Sequence, residues 1–139
     1  MKPSLKAGIA VGLATGGWMF AEYALGLHDD PDGGAGRWTG FLSLIFPVMG
    51  AWWLAAKTAS LSWKEVALEG LLFGGLGGLI GGAAIYLYYA VLNPGFQVGG
   101  QPVDAGAQTV AGFIGALILG LILVLVFHAV AAWRKKPNV

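Results

Sequence analysis

The sequence contains no cysteine and few charged residues. Of its 139 residues, 57% are hydrophobic and 11% are charged. The absence of cysteine excludes disulfides, thiolate nucleophiles, iron–sulfur ligation and thioether haem attachment. A soluble domain carries about a quarter of its residues as charges, so this chain has too few to cover a surface in contact with water. The composition therefore predicts a single membrane domain over residues 1–139.

The sequence also lacks the motifs and charge pattern typical of nucleic-acid binding, catalysis and metal binding. The net charge is +1, which argues against a nucleic-acid partner. The chain has no phosphate-binding loop, nucleophile elbow or His-Glu-x-x-His sequence. The acidic turn at residues 29–33 lacks the glutamate of a calcium loop, because Thr39 stands six residues after the glycine. We therefore expect no enzyme and no metal site.

Long apolar stretches predict four membrane-spanning helices. They cover about residues 7–27, 38–56, 66–92 and 109–133, and polar or turn-rich segments separate them. A helix needs about 20 apolar residues to cross about 30 Å of hydrocarbon. We expect an all-α four-helix bundle in which Pro47 kinks the second span. A cleaved signal peptide over residues 1–24 is the less favoured reading, because the apolar run is long and lacks a small-x-small cleavage site.

The basic residues predict the orientation of the spans. Seven of the eight lie on one side of the predicted topology, and only Arg37 lies on the other. Basic loops stay in the cytoplasm, so both termini and the loop between the second and third spans are expected inside. The seven are Lys2, Lys6, Lys57, Lys64, Arg134, Lys135 and Lys136.

Glycines recur at four-residue spacing in three of the spans and are predicted to mediate helix packing. This spacing keeps them on one helical face, where small residues allow helices to approach closely in lipid. Packing within the bundle is the favoured use of these faces. The alternative is that one of them docks a partner helix or a flat cofactor. The glycines are Gly8, Gly12 and Gly16, then Gly70, Gly74, Gly78 and Gly82, then Gly112 and Gly120.

Glu22 is the carboxylate predicted to lie within the first span, about 7 Å from its outer end at the helical rise. Intramembrane carboxylates are costly and are therefore candidates for function. The simpler interpretation is that Glu22 reaches the interface and pairs with Arg37 or with a loop amide.

The two histidines and Glu69 are the other polar candidates. Glu69 and His128 are expected at the same depth near the inner ends of spans three and four, where a hydrogen bond would satisfy both. His28 is expected at the outer end of span one, so the histidines lie about 30 Å apart and do not share one iron. Either histidine alone is a weak candidate ligand for a chlorophyll-type pigment. Lipid is otherwise the expected bound molecule.

Segments spread over residues 1–96 resemble a known family. They are Lys6-Ala-Gly8, Leu25-Gly-Leu27, Gly40-Phe-Leu-Ser-Leu44, the run from Ser62 to Gly70, and the run from Tyr88 to Phe96. With these segments the chain resembles the bacterial domain-of-unknown-function family 4199, whose members are small proteins with four predicted spans. The resemblance implies a multi-pass protein of the bacterial cytoplasmic membrane, and it implies no activity. The chain differs from that family in its high glycine content and its short cytoplasmic loop.

Two functions follow as hypotheses from this pattern. The favoured one is a non-catalytic accessory subunit that packs against a larger respiratory, photosynthetic or transport complex, because docking faces are abundant and catalytic groups are lacking. The alternative is a small transporter or channel subunit that uses Glu22 as its intramembrane carboxylate. An enzyme acting on lipids is the least favoured, because no catalytic constellation is visible.

Overall fold

A computed structural model describes residues 1–29, 34–98 and 100–134, and the backbone alone of residues 34–37. The described chain is mostly helical, with one short β-hairpin. The elements in order are α1 (Pro3–Ala24), α2 (Gly34–Leu42), α3 (Ile45–Lys57), α4 (Trp63–Leu87), a π-helical turn (Tyr88–Leu92), β1 (Gln97–Val98), β2 (Gln101–Pro102) and α5 (Ala105–Arg134).

Within the described residues, three helical segments are long and apolar enough to cross a membrane. They are Trp38–Lys57, Trp63–Leu92 and Ala105–Arg134, with mean hydropathies of 1.5, 1.7 and 3.0. Helix α1 is not among them, although 22 residues would extend about 33 Å. Its glycines, together with Lys6 and Glu22, lower its mean hydropathy. The prediction of long apolar helices is thus confirmed for three segments.

Helix α4 packs against α1 and α5, and α3 contacts the same two helices, so α1, α4, α5 and α3 form a ring. Glycines lie where the backbones approach most closely. A Cβ atom added at Gly12 would lie 2.9 Å from the carbonyl oxygen of Gly77 in α4. One added at Gly74 would lie 2.6 Å from the carbonyl oxygen of Ala116 in α5. Glycines of α1 and α4 are therefore in contact with neighbouring helices of the same chain.

The second apolar segment is broken rather than continuous. Helix α2 ends at Leu42 and α3 begins at Ile45, so Ser43 and Leu44 form a turn between them. Pro47 has no N–H to donate to the carbonyl of Ser43, and its ring clashes with that carbonyl in a straight helix. The amide of Phe46 donates to Ser43 instead, at 3.2 Å, and the Ser43 hydroxyl donates to the carbonyl of Gly40 at 2.7 Å. The amides of Ser43, Leu44 and Phe46 each bond to the carbonyl three residues earlier, so the helical hydrogen bonds tighten at this point.

The start of α4 is fixed by a capping box. Ser62 accepts a hydrogen bond from the amide of Glu65, and the Glu65 carboxylate accepts from the amide and hydroxyl of Ser62. These reciprocal bonds satisfy donors that have no partner inside the helix. The core below this cap contains the buried side chains of Leu54, Val66 and Val124.

Candidate functional site

A cavity of about 370 Å³ lies inside the ring of helices, and α1, α3, α4 and α5 all contribute to its wall. This volume is within the range of pockets that hold small molecules. Three of the lining residues are glycines, namely Gly16 of α1, Gly81 of α4 and Gly112 of α5. Ser43 and Pro47, at the break between α2 and α3, line it as well. Close helix packing and an internal space therefore coexist in the same glycine-rich sequence.

Glu22 and His28 lie together at one end of this cavity because of the turn that ends α1. Gly26 has a φ of +70°, a left-handed conformation that glycine adopts without a steric cost. The amide of Gly26 donates to the carbonyl of Tyr23, and the amide of Leu27 donates to that of Glu22, both at 3.0 Å. This is the Schellman pattern of helix termination. It folds the chain back so that His28 covers the last turn of α1.

The Glu22 carboxylate is buried and only partly satisfied. The residue is 4% exposed, and its Oε2 atom lies 3.6 Å from Nε2 of His28. Its Oε1 atom has no hydrogen-bond partner among the described residues. A buried carboxylate with an unpaired oxygen is costly, so this atom is a candidate contact for a bound molecule.

A hydrogen-bonded chain leads from His28 to α4. The Tyr88 hydroxyl lies 2.7 Å from Nδ1 of His28, and the Asn93 side-chain amide donates to the same hydroxyl at 3.0 Å. Since the phenol oxygen accepts from Asn93, its own proton can be donated to Nδ1. The remaining imidazole proton then stands on Nε2, facing Glu22. The chain can fix the position of the imidazole beside the carboxylate.

The π-helical turn at the end of α4 positions the Tyr88–Asn93 pair. The amide of Asn93 donates to the carbonyl of Tyr88, five residues earlier, at 2.8 Å. This wider turn brings residues five apart onto the same side, which an ordinary α-helix does not do. Tyr88 is 1% exposed, so its polar group requires the partners that the turn supplies.

Aromatic rings surround the polar chain and extend along the cavity. Tyr88 packs edge-to-face against Tyr23, His28 and Tyr89, with centroids 4.8 to 5.6 Å apart. Phe96 lies 5.7 Å from Tyr89 and also lines the cavity. Trp18, another lining residue, donates its indole N–H to the carbonyl of Thr39 at 3.1 Å and so ties α1 to α2. A carboxylate beside aromatic rings favours a ligand with a positive, weakly hydrated group.

Glu22 has a neighbour that the sequence did not predict. This neighbour is His28, whereas the partners favoured from the sequence were Arg37 or a loop amide. The side chain of Arg37 lies outside the described residues, so its pairing with Glu22 stays a prediction. Because the Schellman turn brings His28 back over the helix end, Glu22 is buried inside the fold rather than extended toward an interface.

The predicted Glu69–His128 hydrogen bond is wrong. Oε1 of Glu69 lies 3.8 Å from the Lys2 ammonium, while Oε2 of Glu69 and Nδ1 of His128 have no partner among the described residues. The His128 ring instead packs edge-on against Trp63, with centroids 4.8 Å apart. Depth in the bundle was estimated from the sequence, but the direction of each side chain around its helix decides which groups meet.

The histidines differ in their availability as ligands. Both ring nitrogens of His28 face protein groups, Glu22 on one side and Tyr88 on the other. His128 is 4% exposed and presents one unpartnered nitrogen. Among the described residues, no group of three or more metal-binding side chains is close enough to hold an ion.

Comparison of the chain with protein-family models, with curated proteins and with solved structures finds no match. The resemblance to domain-of-unknown-function family 4199 therefore stays a prediction.

Sequence reasoning identified Glu22 but not the residues that hold it. Tyr88 and Asn93 appeared only as part of an aromatic-rich exit from span three, and Gly26 only as part of the segment Leu25-Gly-Leu27. A glycine directly after a helix is a known signal for the left-handed cap, so the fold-back at Gly26 could have been predicted. The π-helical pairing of Tyr88 with Asn93 has no comparable signal.

Proposed function

We propose that this chain is a small multi-pass membrane protein that binds an organic cation in its central cavity and acts as a transporter or as a transporter subunit. The observation that carries the proposal is the buried Glu22 carboxylate at the end of a cavity lined by aromatic rings. One oxygen of this carboxylate has no hydrogen-bond partner among the described residues. A cation at this oxygen would offset the cost of the buried charge. The rings would add cation–π attraction.

The broken second span supports a transport role over a purely structural one. Ser43 and Leu44 interrupt the α-helix where it lines the cavity. Discontinuous helices in membrane proteins occur where the backbone lines a cavity or a binding site. A bundle that served only to pack against a neighbour would not need such a break.

In this proposal α1 is a fourth span, both termini lie in the cytoplasm, and the protein resides in the bacterial cytoplasmic membrane. The distribution of basic residues supports the orientation. Because the chain has no cysteine, a single cysteine can report the side of the membrane cleanly. A membrane-impermeant maleimide added to intact cells should label Gln101→Cys in the hairpin and should not label Ser60→Cys. Labelling of Ser60→Cys alone would contradict this orientation.

The binding test uses tetraethylammonium as the probe and purified protein in mild detergent. Isothermal titration calorimetry should show saturable binding to the unaltered protein. Glu22→Gln keeps the shape of the side chain but removes its charge, and it should weaken binding at least about tenfold, or about 1.4 kcal/mol. Glu69→Gln removes a carboxylate that does not line the cavity and should leave the affinity unchanged. Equal affinities for the unaltered protein and Glu22→Gln would refute the proposal.

The accessory-subunit hypothesis is the second candidate, and one surface favours it. Helix α5 carries an exposed apolar stripe at four-residue spacing, formed by Ile114, Ile118, Ile122 and Val126. Such a stripe fits either lipid or a neighbouring helix. Many of the glycines, however, contact helices of the same chain, which leaves them unavailable to a partner. Extraction in mild detergent and native-gel sizing should distinguish the transporter from the accessory subunit, because an accessory subunit migrates with a large defined complex.

A further inference from the structure

A second cavity lies on the outside of the bundle, in the groove between α1 and α3. Its volume is about 400 Å³, and it is open along its length. The floor consists of small residues of α1, namely Ala7, Ala10 and Ala14, and Phe46 and Met49 of α3 form the opposite wall. Among the described residues, this groove shares only Val11 with the lining of the central cavity, so it is a separate feature of the fold.

One end of the groove is basic, while the rest is apolar. Lys6 lines that end beside Trp53. The ammonium of Lys57, at the last turn of α3, lies 5.9 Å from the centre of a Trp53 ring. Both lysines are exposed. An apolar channel that ends at two cations and a tryptophan has the polarity of a membrane lipid, with the acyl chain along the channel and an anionic headgroup at its end.

We propose that the groove between α1 and α3 is a binding site for an anionic phospholipid of the leaflet in which Lys6 lies. One acyl chain lies over Ala10 and Ala14, and the phosphate is held by Lys6 and Lys57. The charge of the two lysines selects the anionic headgroup, since a zwitterionic lipid offers them a phosphate whose charge is already balanced. The small floor residues provide the depth that an acyl chain requires. This inference does not depend on the ligand proposed for the central cavity.

The test measures which lipids stay with the protein after extraction. The full chain is reconstituted in vesicles of equimolar phosphatidylglycerol and phosphatidylcholine, extracted in mild detergent, and examined by native mass spectrometry. The unaltered protein should retain phosphatidylglycerol in preference to phosphatidylcholine. Lys6→Gln and Lys57→Gln should each lower that preference, by up to about fivefold for a lysine close to the phosphate. Lys64→Gln, an exposed lysine of α4 outside the groove, should not change it.

A second variant distinguishes the groove from a general attraction to the charged end of the bundle. Ala10 is exposed, so Ala10→Phe fills the groove without entering the core, and it retains both lysines. It should reduce the retention of both lipids. Unchanged retention in Ala10→Phe would overturn the proposed acyl-chain site. Equal retention of the two lipids by the unaltered protein would overturn the headgroup assignment.

Discussion

The imidazole of His28 lies beside the carboxylate of Glu22, with Nε2 3.6 Å from Oε2, although His28 lies beyond the end of the helix that carries Glu22. The Schellman turn at Gly26 produces this contact by reversing the chain within four residues. His28 in turn reaches Tyr88, so the end of α1 and the end of α4 share one polar chain. The Glu22 carboxylate is therefore positioned by His28, which is itself positioned by Tyr88 at the end of α4.

Gly26→Ala should destabilise the protein and displace His28. A left-handed conformation costs an alanine about 1–2 kcal/mol, and the added Cβ would also lie 2.9 Å from a carboxylate oxygen of Asp29. Thermal unfolding in detergent, followed by circular dichroism, should show a lower Tm. Gly17→Ala is the matched control, because a Cβ there meets no atom within 4 Å and alanine favours the helix. An equal Tm for Gly26→Ala and the unaltered protein would argue against the turn as described.

Tyr88→Phe should destabilise the fold by about 1–3 kcal/mol, because it leaves the buried Nδ1 of His28 without its partner. The variant also removes the acceptor for the Asn93 amide. Denaturation by SDS in mixed micelles measures the change in the free energy of unfolding. Tyr86→Phe provides the comparison, since Tyr86 is 51% exposed and should tolerate the loss of its hydroxyl. Similar effects of the two substitutions would contradict the buried polar chain.

Gly74→Ala should separate α4 from α5. Its Cβ would lie 2.6 Å from the carbonyl oxygen of Ala116 and 3.0 Å from backbone atoms of Leu117, and backbone does not yield as a flexible side chain does. Overpacking of this kind costs about 1–3 kcal/mol. Gly115→Ala, on the open side of α5, should have little effect in the same SDS denaturation experiment. Comparable stability of both variants would show that Gly74 does not lie at a close contact.

The positions of the long apolar helices could be predicted, because they depend on the local pattern of hydrophobic residues. The third and fourth apolar stretches, over residues 66–92 and 109–133, correspond to α4 with its π-helical turn and to α5. The second stretch was expected to bend at Pro47, whereas in the structure a two-residue turn, Ser43 and Leu44, separates α2 from α3 just before it. A missing N–H is visible in the sequence, but whether neighbouring groups bridge the gap depends on the packing around it.

The candidate site was less predictable, because its contacts depend on the direction of each side chain around its helix rather than on its depth in the bundle. Glu22 was identified from its position in an apolar run. Its contact with His28 requires the fold-back at Gly26, and the bond between Tyr88 and Asn93 requires a π-helical register. Glu69 and His128 show the opposite error, since a shared depth suggested a bond that the two side chains do not form.

The central claim is that Glu22 contacts a cation in the cavity, and protection from chemical labelling tests it most directly. Dicyclohexylcarbodiimide is an apolar reagent that modifies carboxyl groups in apolar surroundings, and peptide mass spectrometry locates the modified residue. We predict that Glu22 is labelled in the unaltered protein and that tetraethylammonium reduces this labelling in a concentration-dependent manner. Labelling of Glu69, which lies outside the cavity, should not respond to the cation. Labelling of Glu22 that is unaffected by saturating tetraethylammonium would contradict the account.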